Sequence, residues 1–220
     1  MYFILLSTLI IFLGKIGLCT GQNNCSLAGI NTIQSCYATY FQFLNLTFIN
    51  GSAPNYNTYG TVLSTYLSIG GVPDYSKLCV AQNTMIKCFA NYDPNCVNTN
   101  GFQKALGVPA EDANEYLVNL GVIKWDCNAG YGDMVNNWNC LQNLWDLHFD
   151  EIAACGQYIP PNFNMTGFSC LKGVSIIQCY KNAYGKYCGS VGGYIGCEFA
   201  RSGLNELDSN CESQYRPCTK

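Results

Sequence analysis

The chain has 220 residues, with 11 Lys and Arg against 14 Asp and Glu and a single His. A net charge of −3 without a basic run excludes electrostatic nucleic-acid binding, and one His leaves little material for a zinc site or a histidine proton relay. Charged residues make up only 11% of the chain, whereas its 15 cysteines approach the density of disulfide scaffolds.

In chain order, Phe3–Leu13 is an uncharged apolar run followed closely by Lys15. It has the length of a signal-peptide core and falls short of the roughly 20 residues a membrane helix needs. Residues 1–20 are therefore read as a cleaved signal peptide, with the cut after Cys19 or Gly21. No later run is long enough to span a bilayer, so residues 21–220 are expected as one secreted, cysteine-rich helical domain. Apolar spacing predicts a first helix over Leu27–Leu46. Pro54 opens a second, carrying Tyr59, Val62, Leu63, Tyr66 and Leu67 and stopped by Gly70-Gly71. Asp74 starts a third that runs to Asn91, before Asp93-Pro94. A short turn over Phe102–Leu106 stops at Gly107, and Pro109-Ala-Glu-Asp opens another helix with acids in its first turn. Gly130–Asp133 reads as a turn into the longest predicted helix, Asn137–Cys155. Pro160-Pro161 precedes a helix from Gly167 to Tyr184, the Gly-rich run Gly189–Gly193 reads as a connecting loop, and Tyr194–Leu207 closes the series. Nothing alternates with strand period. The expected fold is all-α, an irregular disulfide-stapled bundle of seven or eight helices.

Removal of Cys19 with the leader leaves fourteen cysteines: Cys25, Cys36, Cys79, Cys88, Cys96, Cys127, Cys140, Cys155, Cys170, Cys179, Cys188, Cys197, Cys211 and Cys218. An even number in an exported chain suits seven disulfides, and no C-x-x-C spacing points to redox or zinc chemistry. Ile33-x-x-Cys36-Tyr37, Met85-x-x-Cys88-Phe89 and Ile176-x-x-Cys179-Tyr180 share one pattern, each with a further Tyr at position 40, 92 or 184. Cys79 and Cys88, like Cys170 and Cys179, stand nine residues apart and so point to opposite sides of a helix, toward different partners. Cys25 and Cys36 share a face but lie roughly 16 Å apart along it, beyond disulfide reach. Four sequons, at Asn24, Asn45, Asn50 and Asn164, are candidate glycosylation sites. With 24 Asn and 25 Ser and Thr, two or three sequons arise by chance, so their number carries no weight.

Candidate chemistry is sparse. On a wheel over Asn137–Cys155, His148 falls in the apolar stripe with Trp138, Leu141, Leu144, Trp145, Phe149 and Ile152, while Asp146 and Asp150 fall on the polar face. This predicts a core histidine and a solvated acid pair rather than a relay or a glycosidase dyad. Gly189–Gly193 lacks the lysine of a phosphate loop, and no hydrolase, metalloprotease or dinucleotide motif occurs. No catalytic residue, metal ligand or cofactor is expected. Tyr is abundant, 16 residues, either as packing or as recognition surface.

The runs Cys88-Phe89, Cys96, Phe102, Leu106-Gly107, Ala110–Ala113 with Tyr116, Cys127-x-x-Gly130-Tyr131, Trp138-x-Cys140-Leu141-Gln142 and Cys179-Tyr180 with Cys188 resemble secreted cysteine-rich proteins expanded in nematodes, whose domain has no assigned function. The resemblance covers about Cys25–Cys211 and implies an extracellular, helical, disulfide-bonded protein with no known catalysis. The leading expectation is thus a secreted binding or structural protein whose partner is an extracellular protein. One alternative is a carrier of a small hydrophobic ligand, which requires an apolar cavity of several hundred Å³. The other is a hydrolase, which requires a buried carboxylate pair facing a pocket.

Overall fold

A computed structural model describes residues 25–89, 94–156 and 169–220. The predicted leader with Cys19, the sequons at Asn24 and Asn164, Tyr92, and the Pro160-Pro161 break lie outside these residues. Helix α1 (Leu27–Phe43) starts at Ser26, whose hydroxyl accepts from the Gly29 amide at 3.1 Å, and ends before Asn45, which turns the chain at φ 56°. Helix α2 (Tyr56–Phe89) follows Pro54, with Asn55 Oδ1 accepting from the Thr58 amide at 2.8 Å. Its course breaks at Gly71, where φ 58° and ψ −146° suit a residue without Cβ. The Tyr40 hydroxyl hydrogen-bonds both Tyr59 (2.9 Å) and Gln82 (3.1 Å), positions that a straight helix would hold roughly 34 Å apart. The limbs 56–70 and 72–89 therefore lie side by side, as the glycine stop at positions 70–71 implied.

A 3₁₀ turn (Pro94–Cys96) leads to α3 (Thr99–Leu106), capped by Asn98 Oδ1 on the Gly101 amide at 2.9 Å and closed by Gly107. Helix α4 (Ala110–Asp126) carries Glu111 and Asp112 in its first turn, where the helix dipole favours acids. Then come α5 (Tyr131–Asn136), α6 (Trp138–Leu147), α7 (Phe149–Gly156) and α8 (Cys170–Leu207), with a final 3₁₀ segment (Ser209–Gln214). The architecture is all-α: among the described residues there are eight helical elements, of which α2 and α8 each comprise two limbs joined at a kink, and no strand, only an isolated bridge between Ile49 and Ser52. None of these helices is long and apolar enough to cross a membrane.

Two expectations about element boundaries are corrected. Asn137–Cys155 is not one helix, and the connection expected at Gly189–Gly193 narrows to Cys188-Gly189, which joins two helical limbs within α8. Cys188 (φ −114°, ψ 15°) and Gly189 (φ 68°, ψ −161°) together reverse the chain, and Gly192 and Gly193 are already buried in the next limb. The two limbs of α8 touch backbone to backbone: a Cβ on Gly196 would sit 2.6 Å from the Tyr180 carbonyl. The Asn137–Cys155 segment itself divides at His148, whose φ of −131° leaves the helical region. The disulfides supply a reason. Cys140 pairs with Cys188 and Cys155 with Cys179, so both ends of the segment are anchored to one limb of α8. Straight helices would set these anchors roughly 22 Å apart on one side and 14 Å on the other. A bend between them absorbs the mismatch.

The remaining bridges are Cys25–Cys96, Cys36–Cys88, Cys79–Cys127, Cys170–Cys211 and Cys197–Cys218. Cys79 and Cys88 do reach different neighbours, as do Cys170 and Cys179, and Cys25 and Cys36 do not pair with each other. The bridges also divide into two groups. Among the described residues, the six cysteines from Cys25 to Cys127 pair with one another, and the eight from Cys140 to Cys218 pair with one another. Non-covalent packing of α4 on α8 joins them: a Cβ on Gly121 would collide with the Ser202 carbonyl, and one on Gly203 would lie 2.8 Å from Val118 Cγ1. Lys124 adds an ion pair to Glu206 at 2.6 Å, and the Trp125 ring meets Tyr194 and Phe199 edge-on.

Much of the tyrosine is core. Tyr37, Tyr40, Tyr59 and Tyr116 are buried with Phe41 and Phe102, their rings in mutual edge and tilted contacts. Burial pushes the phenols of Tyr37, Tyr40 and Tyr59 above their ordinary value. This cluster holds α1, α3, α4 and the first limb of α2 in one frame.

Candidate functional site

Against that frame, the first limb of α2 and the α6–α7 segment enclose a half-open cleft of about 390 Å³. Each wall is one helical face. Tyr56, Gly60, Leu63, Ser64, Leu67 and Ser68 follow the i, i+4, i+7, i+8, i+11, i+12 rhythm, and Trp138, Gln142, Trp145, Asp146 and Phe149 follow the same rhythm opposite. Small residues on the α2 wall face large rings on the other, which leaves the space open. A Cβ on Gly60 would meet nothing within 4 Å.

Hydrogen bonds fix the aromatic wall. Trp138 Nε1 donates to Gln142 Oε1 at 3.1 Å, and Gln142 Nε2 donates to the Ser68 carbonyl at 3.2 Å, tying α6 to the end of the α2 limb. Trp145 Nε1 donates to the Tyr184 hydroxyl at 2.9 Å, anchoring the second indole to α8. The Trp138 ring leans on Tyr75, centroids 5.1 Å apart, and Tyr75 stacks in turn on Tyr131. With both indole N–H groups engaged inside the protein, the rings present carbon surface to the cleft. Phe149, 63% exposed, stands at its mouth. Asp146 is the one carboxylate among the lining residues, and no Lys or Arg lines it.

The acids and the histidine do not assemble there. Asp146 and Asp150 are both exposed, as the wheel predicted, but only Asp146 reaches the cleft. His148 is not a core residue, which corrects that expectation. The bend at its own position turns it out of the stripe, and its side chain stays 35% exposed, stacked on Tyr187 with centroids 3.8 Å apart. Its Nδ1 lies 3.9 Å from Glu151 Oε1, and Glu151 also accepts from Lys186 at 2.8 Å and from the Tyr187 hydroxyl. Those two donors hold the Glu151 carboxyl below its ordinary range. This surface cluster shares no residue with the cleft.

Of the glycosylation candidates, Asn45 and Asn50 lie exposed on the turn between α1 and α2, both at positive φ. Gly189–Gly193 floors a shallower depression of about 480 Å³ bordered by Lys181 and Lys220, the latter paired with Asp133 at 2.7 Å. Cys79, Asp126 and Cys127 gather within 4.8 Å of one another, but both sulfurs are joined in a disulfide and offer no thiolate to a metal.

Sequence reasoning missed the cleft. The Trp138, Trp145 and Phe149 stripe is visible in the sequence, whereas Tyr59, Val62, Leu63, Tyr66 and Leu67 establish only that the α2 segment is helical. The available signal was Gly60, Ser64 and Ser68 on one helical face beside Tyr56, Leu63 and Leu67, a strip too shallow to fill against two indoles. No family model matches the chain, and no curated protein or solved structure does so.

Proposed function

We propose that the protein is an extracellular, disulfide-stapled binding protein that holds a small hydrophobic molecule in the cleft between α2 and the α6–α7 segment. One observation carries this reading: a cavity of about 390 Å³, walled by Tyr56, Leu63, Leu67, Trp138, Trp145 and Phe149. Its size lies within the usual range for small-molecule sites, and its few polar groups sit among apolar walls as such sites require. Seven disulfides support an oxidising, extracellular setting and keep the walls in place before the ligand arrives. Asn45 and Asn50, exposed on their turn, are the proposed glycan acceptors. Binding is favoured over hydrolysis because a single carboxylate faces the cleft, with neither a second acid nor the histidine beside it.

The test fills the cleft at the position where the backbone already leaves room. Gly60→Leu places an isobutyl group in the open space and also improves helix propensity. Titration with the apolar fluorophore N-phenyl-1-naphthylamine is expected to show saturable binding to the wild type and about tenfold weaker binding to Gly60→Leu, at a cost of a few apolar contacts. The circular dichroism of the two proteins should match, and Gly60→Leu should melt no lower than the wild type. Equal affinity for both would remove the cleft as the site.

A further inference from the structure

We infer that the ligand of this cleft is an organic ammonium cation carrying an apolar body, an inference that rests on the cleft being the binding site. The Trp138 and Trp145 rings meet at 83° with centroids 6.0 Å apart, forming two adjoining walls of an aromatic corner. Tyr56 and Phe149 extend that lining. Both indole N–H donors are spent on Gln142 and Tyr184, so neither can serve a ligand acceptor. Trp138 is buried against Tyr75, and the aromatic carbon open to the cleft comes chiefly from the half-buried Trp145 and from Tyr56 and Phe149. Such surface attracts alkylammonium groups, which keep a full positive charge while exposing only carbon and hydrogen.

Charge points the same way. Asp146 follows Trp145 directly in the chain, lines the cleft, and takes part in none of the ion pairs among the described residues. A carboxylate ligand would meet this acid with no Lys or Arg in the lining to balance it. A neutral hydrocarbon would leave it without a counterpart. A cation satisfies both features: its head lies in the aromatic corner near Asp146, and its tail runs along Leu63 and Leu67 on the α2 wall.

Three eight-carbon probes separate the terms: octyltrimethylammonium, octanol and octanoate, each titrated against the intact oxidised protein with tryptophan fluorescence as readout. The ammonium is expected to bind about tenfold more tightly than either other probe, the scale of one partly desolvated cation–π contact assisted by an acid. Asp146→Asn should weaken the ammonium severalfold and leave octanol unchanged, because the substitution removes charge and keeps shape. Trp145→Leu, which preserves apolar lining, should also erode the preference for the cation. Octanol or octanoate binding as tightly as the ammonium overturns the cation inference and leaves the hydrophobic cleft standing. If none of the three binds, both the inference and the cleft reading fall.

Discussion

Asp126 closes α4 with its Oδ1 buried and unpartnered, beside the Cys79–Cys127 bridge. Burial raises its carboxyl from 3.8 to about 7, opposed only in part by a backbone hydrogen bond from Cys127. In the unfolded chain the group ionises near its ordinary value, so between these two pH values the folded state holds the extra proton. Stability from this residue is fully present below 3.8 and is lost as pH rises through about 7. Linkage of this kind is worth on the order of 4 kcal/mol. Asp126→Asn should therefore gain melting temperature at pH 8 relative to the wild type and show a smaller rise between pH 8 and pH 5. Parallel melting curves for the two proteins across that range would refute the assignment. The residue scale is also where sequence reading was weakest. The position of His148 was read on a straight helix, and no wheel drawn through a bend can place the residue at its apex.

Helix elements were far easier to read. Pro109, Gly107 and the stop at positions 70–71 mark boundaries because they act on the local backbone, and the structure has helix ends at each. The cysteine directions followed from helical rotation alone. What periodicity could not show was which faces meet, since the cleft exists only where two separately ordinary faces are brought opposite each other by the contacts of α6 with α2 and with α8. Two devices hold its aromatic wall there, the Trp145–Tyr184 hydrogen bond and the Cys140–Cys188 bridge that pins the first turns of α6. Replacing both cysteines by serine should lower stability by about 2–4 kcal/mol, the ordinary worth of a disulfide. Because α6 carries Trp138 and Trp145, the same variant should lose more affinity for the naphthylamine probe than a Cys197→Ser, Cys218→Ser variant does. That second bridge lies on the opposite limb of α8, away from the cleft lining.

Among the described residues, no disulfide joins the two groups. They are connected by a single peptide crossing, residues 128–139, and by non-covalent contacts, the α4–α8 interface and the α2–α6 contacts through Ser68–Gln142 and Tyr75–Trp138. Methionine provides a clean test, since Met85 and Met134 fall respectively within the first group and between the two, and Met165 is spanned by Cys140–Cys188 and Cys155–Cys179. Cyanogen bromide cleavage without reduction should give two disulfide-linked products, one ending at Met134 and one beginning at Val135. Cleavage at Met85 should release nothing, because Cys25–Cys96 and Cys36–Cys88 cross it. A single product that separates only on reduction would show a bridge between the groups and contradict the pairing.

The same partition simplifies the order of assembly. Six cysteines admit about 15 pairings and eight about 105, whereas fourteen treated as one set admit on the order of 100,000. Because a chain emerges N-terminus first, the six leading cysteines can reach their final partners before any of the last eight is available to compete. The glycine-smooth faces of α4 and α8 then need only dock, so the search for correct oxidation is split into two short ones and ends in an ordinary packing step.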